Sequence, residues 1–549
     1  MLWISFTRIE GYELNNFMRM LGLWLSLSCL LSSMPISADQ APGQPVFHDI
    51  SGSFAEEAIN SLADRGVVSG DGHGAFLPRN PVTRAEFIAM LGRMLELRPV
   101  HNDLSAFRDV LPSAWYYGAV HAGLNLSITE GSGDRFHPMD SITRQEAAVM
   151  VIRAMKESDQ AALSRTAGKY VDAGSIAKWA WDAVGRATDT GWLVGSKGSF
   201  RPNAAITREE TAMLLNRVLK SGNVQSVIDR KAVSKVHMGW LYNGTTQQYI
   251  AYAKRAELNV LVPRWYFMEP SGKLTDHTDQ ELLKWAHNHG RKVWAMVGNR
   301  ANDAGTHQVL SDAKLRQSLI NSISAKVSQY KLDGINIDFE NVLPQDRENL
   351  TLFITQLSVE MRRLGAELSI DVSPDLNTDW TAAFDYAALG KQVDYMVLMS
   401  YDQHWNGSPK AGTVSSLPWS ESALAKLVSQ VPAKKTIIAY PLYTRDWKVG
   451  PTVSAQDITL TEQGKRIRQQ KATLQWNSVL AQYEAAYTSA SVPHRIWTEE
   501  ARSLSHKHLM AATYQVAGYA YWYPGAETPD VWQAIANAER YGSYSFLIR

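Results

Sequence analysis

One stretch narrows the fold more than any other: Asp333-Gly334-Ile335-Asn336-Ile337-Asp338-Phe339-Glu340. From Ile335 it alternates strictly, with Asn336, Asp338 and Glu340 on one face and Ile335, Ile337 and Phe339 on the other. Side chains alternate across a strand, so the segment reads as a strand with one apolar and one acidic face. Buried carboxylates cost free energy unless they are paired or used. A barrel strand satisfies both faces: the apolar side packs on surrounding helices, and the acidic side lines a site at the strand's C-terminal end.

The neighbouring sequence fits that reading. Apolar runs alternate with helical stretches at Val236–Leu241, Asn259–Trp265, Lys292–Val297, Gly334–Glu340, Leu368–Val372, Tyr395–Tyr401, Thr436–Tyr440 and Gly518–Trp522. Eight such runs predict an α/β fold, a (β/α)8 TIM barrel over residues 235–549. Between strands seven and eight lies an insertion, roughly 446–505, that reads as mostly polar and helical. Candidate site residues follow the strand ends: Tyr401, Asp402 and Trp405 after strand six, Tyr443 and Arg445 after strand seven, and Trp522 on strand eight, while His404 reads as a surface or satisfied histidine. Trp265, at the end of strand two, is a further candidate for substrate binding. Asp333 is out of parity with the acidic face and reads as structural.

The N-terminal part repeats at about 60 residues, which means one unit used three times. Phe47-His-Asp49, Phe107-Arg-Asp109 and Tyr170-Val-Asp172 open the units, which span 45–103, 104–166 and 167–222. Each reaches an aromatic-x-Pro element and then Thr83-Arg84-Ala-Glu86, Thr143-Arg144-Gln-Glu146 or Thr207-Arg208-Glu-Glu210. Thr and Glu three residues apart before an apolar-periodic run make a capping box, so the units read as helical. Capping does not need the arginine, and a cation near a helix start suits an anion site. Residues 223–234 read as a linker.

Hydrophobic content of 45% and charged content of 20% are those of a globular chain. A formal net charge of +1 gives no electrostatic argument for nucleic acid or an anionic membrane. Met18-Arg19, an apolar run from Leu21 to Leu31 and a small residue at Ala38 describe a secretory signal peptide over 1–38. The only cysteine, Cys29, lies within it, so the mature chain is expected to have no disulfide. No His/Asp/Glu cluster has metal-ligand spacing, and neither metal nor cofactor is expected.

The octapeptide resembles the Asp-x-x-Asp-x-Asp-x-Glu signature of glycoside hydrolase family 18, with Asn336 in place of the middle Asp. That variant, with Asn341-Val342 and the Ile496-Trp497-Thr-Glu499 segment, resembles the cortex-lytic and spore-germination branch. The resemblance implies a retaining, substrate-assisted mechanism on a GlcNAc polymer. Glu340 would be the acid, Asp338 would orient the substrate acetamide, and Tyr401 and Asp402 would support it. Asn336 would hydrogen-bond the pair, and Trp522 would floor the sugar subsite. The three repeats resemble S-layer homology domains, which implies attachment to an anionic secondary wall polymer, with Arg84, Arg144 and Arg208 as contacts. The leading expectation is a wall-anchored peptidoglycan N-acetylglucosaminidase. A surface-displayed chitinase and a non-catalytic glycan-binding wall protein are the alternatives.

Overall fold

The computed structural model describes residues 47–157, 166–231, 233–375 and 380–547, so the expected signal peptide and Cys29 lie outside the described residues. Among the described residues no helix is long and apolar enough to cross a membrane.

The ring begins with β1 (Val236–Leu241) and β2 (Val260–Pro263), followed by a hairpin of β3 (Tyr266–Met268) and β4 (Leu274–Asp276). It continues through β5 (Lys292–Gly298), β6 (Gly334–Asp338), β7 (Glu367–Val372), β8 (Tyr395–Met399) and β9 (Thr436–Pro441). The insertion holds β10 (Tyr443–Lys448), β11 (Ser454–Thr459), β12 (Thr473–Asn477), β13 (Gln482–Ser489) and β14 (Val492–Trp497). The last ring strand is β15 (Gly518–Trp522). Parallel pairing runs β2-β1-β15-β9-β8-β7-β6-β5, and β2 pairs with β5 to close the barrel. Strand parity sorts the core as the sequence predicts. Ile335, Ile337 and Phe339 pack outward among helix residues such as Leu319, Ile320 and Phe353. Met238, Trp240, Val262, Trp294, Met296 and Val397 fill the inside.

The insertion differs from expectation. It is a five-stranded antiparallel sheet, β11-β10-β14-β13-β12, with one helix, Leu460–Gln469. Its edge strands expose Ser454, Gln456, Asp457, Thr473 and Gln475, while β10 is buried from Tyr443 to Trp447. Composition alone therefore reads as polar helix.

The three repeats close a second ring. The Val82 N–H donates to Ile206 O (3.0 Å), the Ile206 N–H to Ile142 O (3.1 Å), and the Ile142 N–H to Val82 O (2.9 Å). All three side chains are fully buried. Helices Arg84–Met94, Arg144–Ala154 and Arg208–Leu219 each start on the expected capping box. The segment expected as a linker carries helix Val224–Ile228, because Val224, Val227 and Ile228 fall at i, i+3 and i+4 and are buried.

The repeats dock on the barrel's last helix, Asp530–Ser543. Asn537 bonds both ways with the Arg98 backbone (2.8 and 2.7 Å), and Tyr544 donates to Leu95 O at 2.8 Å. Lys156 Nζ caps that helix at Tyr541 O (2.5 Å) and reaches Tyr544 O at 2.9 Å. Ala538, Tyr541 and Tyr544 complete the repeats' own apolar core. Barrel and repeats thus share packed side chains.

Candidate active site

Asn336 sits fully buried inside the ring. Its Oδ1 accepts from Trp240 Nε1 on β1 (3.1 Å). Its Nδ2 donates to Ser369 Oγ (3.0 Å) and Asp371 Oδ1 (2.8 Å), both on β7. Asp371 is therefore an inward carboxyl that the sequence reading missed. Its signal was parity: Ser369 and Asp371 interrupt one face of an otherwise apolar strand. Burial, and then the charge of Asp338, hold the Asp371 carboxyl well above the usual range. Asp371 Oδ2 has no hydrogen-bond partner among the described residues.

Two residues further along β6, Asp338 stands at the strand end and Glu340 just beyond it. Strand rise puts successive same-face side chains roughly 7 Å apart, within Coulombic reach. Burial and then the Glu340 charge push Asp338 up to about 7, against the opposing Arg264 charge. Glu340 is raised by burial and by Asp402, again against Arg264. A raised carboxyl beside a second one is the arrangement that keeps an acid protonated near neutral pH. The Glu340 loop is fixed from behind: the Asn299 side chain accepts from the Glu340 N–H (3.0 Å) and donates to its carbonyl (2.7 Å).

Tyr401 and Asp402 follow β8. Asp402 sits at φ +64°, turning the chain so that its side chain meets the next strand end. Tyr443 on β10 donates its hydroxyl to Asp402 Oδ1, and Arg445 Nη2 donates to the same oxygen at 2.8 Å. Arg445 also donates to His404 O at 2.8 Å and pairs with Asp457 at 2.8 Å. Tyr443 and Arg445, expected to bind substrate, are buried and hold Asp402. Burial raises the Tyr401 hydroxyl well above its ordinary value, so it stays a neutral donor.

The half-buried Trp522 meets Trp240 at 6.0 Å and Tyr242 at 5.5 Å between ring centroids. Trp405 is 55% exposed on the loop after β8. Trp265 is corrected: it is 5% exposed and belongs to the outer core. The reason is register. Val260 and Val262 face inward, so the inward neighbour beyond them is Arg264, while Leu261 and Trp265 face out. His404 Nδ1 is within 3.1 Å of Thr413 O. Asp333 accepts from the Val293 N–H (2.8 Å) and pairs with His287, outside the site. The Trp497–Ser503 segment is likewise outside it. Glu499 and Lys507 form a fully buried ion pair there.

The repeat arginines are not free cations. Nε of Arg84, Arg144 and Arg208 donates to the carbonyls of Phe136 (3.0 Å), Phe200 (2.9 Å) and Phe76 (2.7 Å). Each guanidinium lies over that same ring. Their Nη1 atoms reach Glu146 (2.7 Å), Glu210 (3.3 Å) and Glu86 (3.4 Å), the capping-box acid of the next repeat. The motif therefore clasps repeat one to two, two to three and three to one. Arg84 also borders a groove of about 700 Å³ with Arg153 and the exposed Trp179.

Among the described residues no group of three His, Cys, Asp or Glu is placed to hold a metal ion. Residues 230–526 match the profile described as glycosyl hydrolases family 18, and 46–88, 106–148 and 169–212 match the S-layer homology domain. An uncharacterized glycosylase, YvbX, of Bacillus subtilis is 28% identical over 312 residues, covering 54% of this chain and 90% of the relative. The cortical fragment-lytic enzyme of Bacillus subtilis is 27% identical, covering 44% of this chain and 59% of that enzyme. A chitinase structure from Chromobacterium violaceum superposes with a TM-score of 0.52 at 24% identity, covering 56% of this chain and 99% of that one. Over half of the chain thus falls within one profile, on a closed eight-stranded barrel with its acidic strand in place: the chain belongs to glycosyl hydrolases family 18, joined to three S-layer homology domains.

Proposed function

We propose that this chain is a wall-attached N-acetylglucosaminidase that cleaves peptidoglycan β-1,4 bonds after N-acetylglucosamine, with retention. The observation that carries the reading is the Asp338–Glu340 pair, both carboxyls raised, at the end of an inward strand beside Tyr401 and Trp522. Glu340 gives its proton to the glycosidic oxygen as the C1–O bond breaks. The substrate's own acetamide oxygen closes on C1, and Asp338, as the carboxylate, accepts from the acetamide N–H and steadies the developing cation. Water, giving its proton to the Glu340 carboxylate, then opens the oxazolinium ring at C1. Tyr401, a neutral hydroxyl, donates to the acetamide oxygen. Asp402 is held by Tyr443 and Arg445 and frames that side. Trp522 offers a ring face to the apolar face of the sugar. Asn336 fixes the strand between Trp240 and Asp371 without adding an anion. The cortical fragment-lytic relative and the S-layer homology domains favour a wall glycan over chitin. The groove bordered by Arg84, Arg153 and Trp179, which also carries Glu130, Asp140 and Glu146, is the proposed seat of a wall polymer. In this seat Arg84 shapes the wall of the groove, while Arg144 and Arg208 hold the ring together. A thiazoline analogue of the oxazolinium should inhibit competitively, and the first product should carry the β anomer by NMR. An α anomer or indifference to the thiazoline would refute the substrate-assisted mechanism.

A further inference from the structure

The inward neighbour of the acid pair on the β2 side is a cation. Arg264 follows β2 with the parity of Val260 and Val262, so it points into the mouth of the barrel. Its guanidinium carbon lies 5.0 Å from the ring centroid of Tyr242, 5.6 Å from that of Phe267 and 5.7 Å from that of Trp522. Its Nε is buried without a hydrogen-bond partner among the described residues. Arg264 is thus flanked by three aromatic rings, and among the described residues no carboxylate forms an ion pair with it, although its charge is felt by Asp338 and Glu340. A second arginine, Arg300 after β5, also lies over the Phe267 ring, 3.9 Å from its centroid. The opposite wall of the mouth carries Asp402 and its supports. The β2 side of the mouth therefore carries a cation, whereas Asp402 on the other side is matched by Arg445. Neutral chitin offers an arginine in this place nothing to neutralise.

We propose that Arg264 is a specificity residue that reads a carboxylate on the sugar adjoining the cleaved N-acetylhexosamine, with Arg300 as its outer partner. The guanidinium presents a planar fork suited to bidentate carboxylate binding. Its position against Trp522 puts that fork beside the proposed sugar platform, within one residue of the cut. The chemical class is a β-1,4-linked N-acetylhexosamine polymer whose alternate sugar carries a carboxylate through an ether at O3. Two sources have that chemistry: the free lactyl carboxylate of a peptide-stripped strand, and the first carboxylates of an attached stem peptide. The inference rests on the reading of a wall-glycan hydrolase.

The test compares wild type, Arg264→Gln and Arg264→Lys, each at its own optimum pH, on four substrates: peptide-stripped glycan strands, the same strands with the lactyl carboxyl reduced to an alcohol, strands bearing stem peptides, and chitin oligosaccharides. The ratio of kcat/KM on acidic over carboxyl-reduced strands should fall about 30-fold in Arg264→Gln, mostly through KM, the size of a charge-assisted contact. Arg264→Lys, which keeps charge without the fork, should lie between. Preference for stripped over peptide-bearing strands identifies the lactyl source, and the reverse identifies the peptide. Equal loss on acidic, reduced and chitin substrates would overturn the inference and make Arg264 a counter-ion of the acid pair. Wild type that cleaves chitin but is indifferent to the carboxyl would overturn it while leaving the hydrolase intact. Silence on all four substrates would overturn both.

Discussion

Lys507→Met should cost the barrel about 4 kcal/mol at neutral pH, and the cost should fade in acid. Lys507 and Glu499 are both fully buried and paired. Gln482 Nε2 (2.7 Å) and Ser503 Oγ (3.0 Å) also donate to Glu499. Gln463 bonds the Glu499 backbone in both directions (2.8 and 3.2 Å), and Tyr440 of β9 donates to Lys507 O at 2.9 Å. One pair thus ties together β9, helix Leu460–Gln469, β13 and helix Ala501–Thr513. Removing the ammonium strands a buried carboxylate with two neutral donors, and breaking a buried pair this way costs about 3–5 kcal/mol. Burial already raises the Glu499 carboxyl with Lys507 present, and its loss raises it further above the unfolded value of about 4.3. Between those two pKa values the folded state holds a proton that the unfolded state has lost. Stability therefore falls as pH rises through that window, by up to about 1.4 kcal/mol per unit. The deficit is smallest near pH 4 and largest at and above the folded-state pKa. At about 2 °C per kcal/mol for a domain of this size, calorimetry should find the barrel transition about 6–10 °C lower near pH 7.5. Glu499→Gln combined with Lys507→Met should recover most of the loss and remove its pH dependence. A deficit that stays constant from pH 4.5 to 8, or a double variant no better than the single, would refute the reasoning.

Further predictions concern the ring of repeats and the site. Arg144→Ala should destabilise the repeats by about 3 kcal/mol, because it leaves the carbonyls of Phe200 and Val194 without their donor and Glu210 with Arg201 as its remaining cation. Arg144→Lys should not rescue them in urea titrations, since one ammonium cannot replace a fork reaching three acceptors. Asn336→Asp places a second carboxyl 2.8 Å from Asp371 Oδ1, where an amide now donates. The added negative charge makes the Glu340 proton harder to remove, so the alkaline limb of kcat/KM should move to higher pH while substrate preference holds; an unmoved limb would count against the coupling. Tyr443→Phe removes one of two donors to Asp402 and should lower kcat about tenfold with little change in KM. A change confined to KM would put Tyr443 on the substrate.

Much of this was legible from periodicity. The ring strands carry β-branched and aromatic residues at period two, and their ends coincide with the expected runs to within a residue or two. Asp338 and Glu340 were legible because carboxyls on an inward face need a reason. Asp371 is hard to see because the run Leu368–Val372 reads as an apolar strand. Its inward carboxyl is visible only once Ser369 and Asp371 are given the parity of a strand facing Asn336. Trp265 misleads for the same reason, since a tryptophan at a strand end suggests a sugar platform until register turns it outward and Arg264 inward. The roles of Arg84, Arg144 and Arg208 depend on contacts some 50 to 130 residues away in sequence, which no local pattern carries. Docking of the repeats on helix Asp530–Ser543 was invisible for that reason too.

The most direct test of the account is a digest of purified peptidoglycan by the protein beside Glu340→Gln, with new reducing ends reduced by borohydride and identified by mass spectrometry. The account predicts reduced N-acetylglucosamine ends from the wild type, lost by a factor of at least about 100 in the variant. Reduced muramic ends, or an undiminished digest by Glu340→Gln, would contradict it.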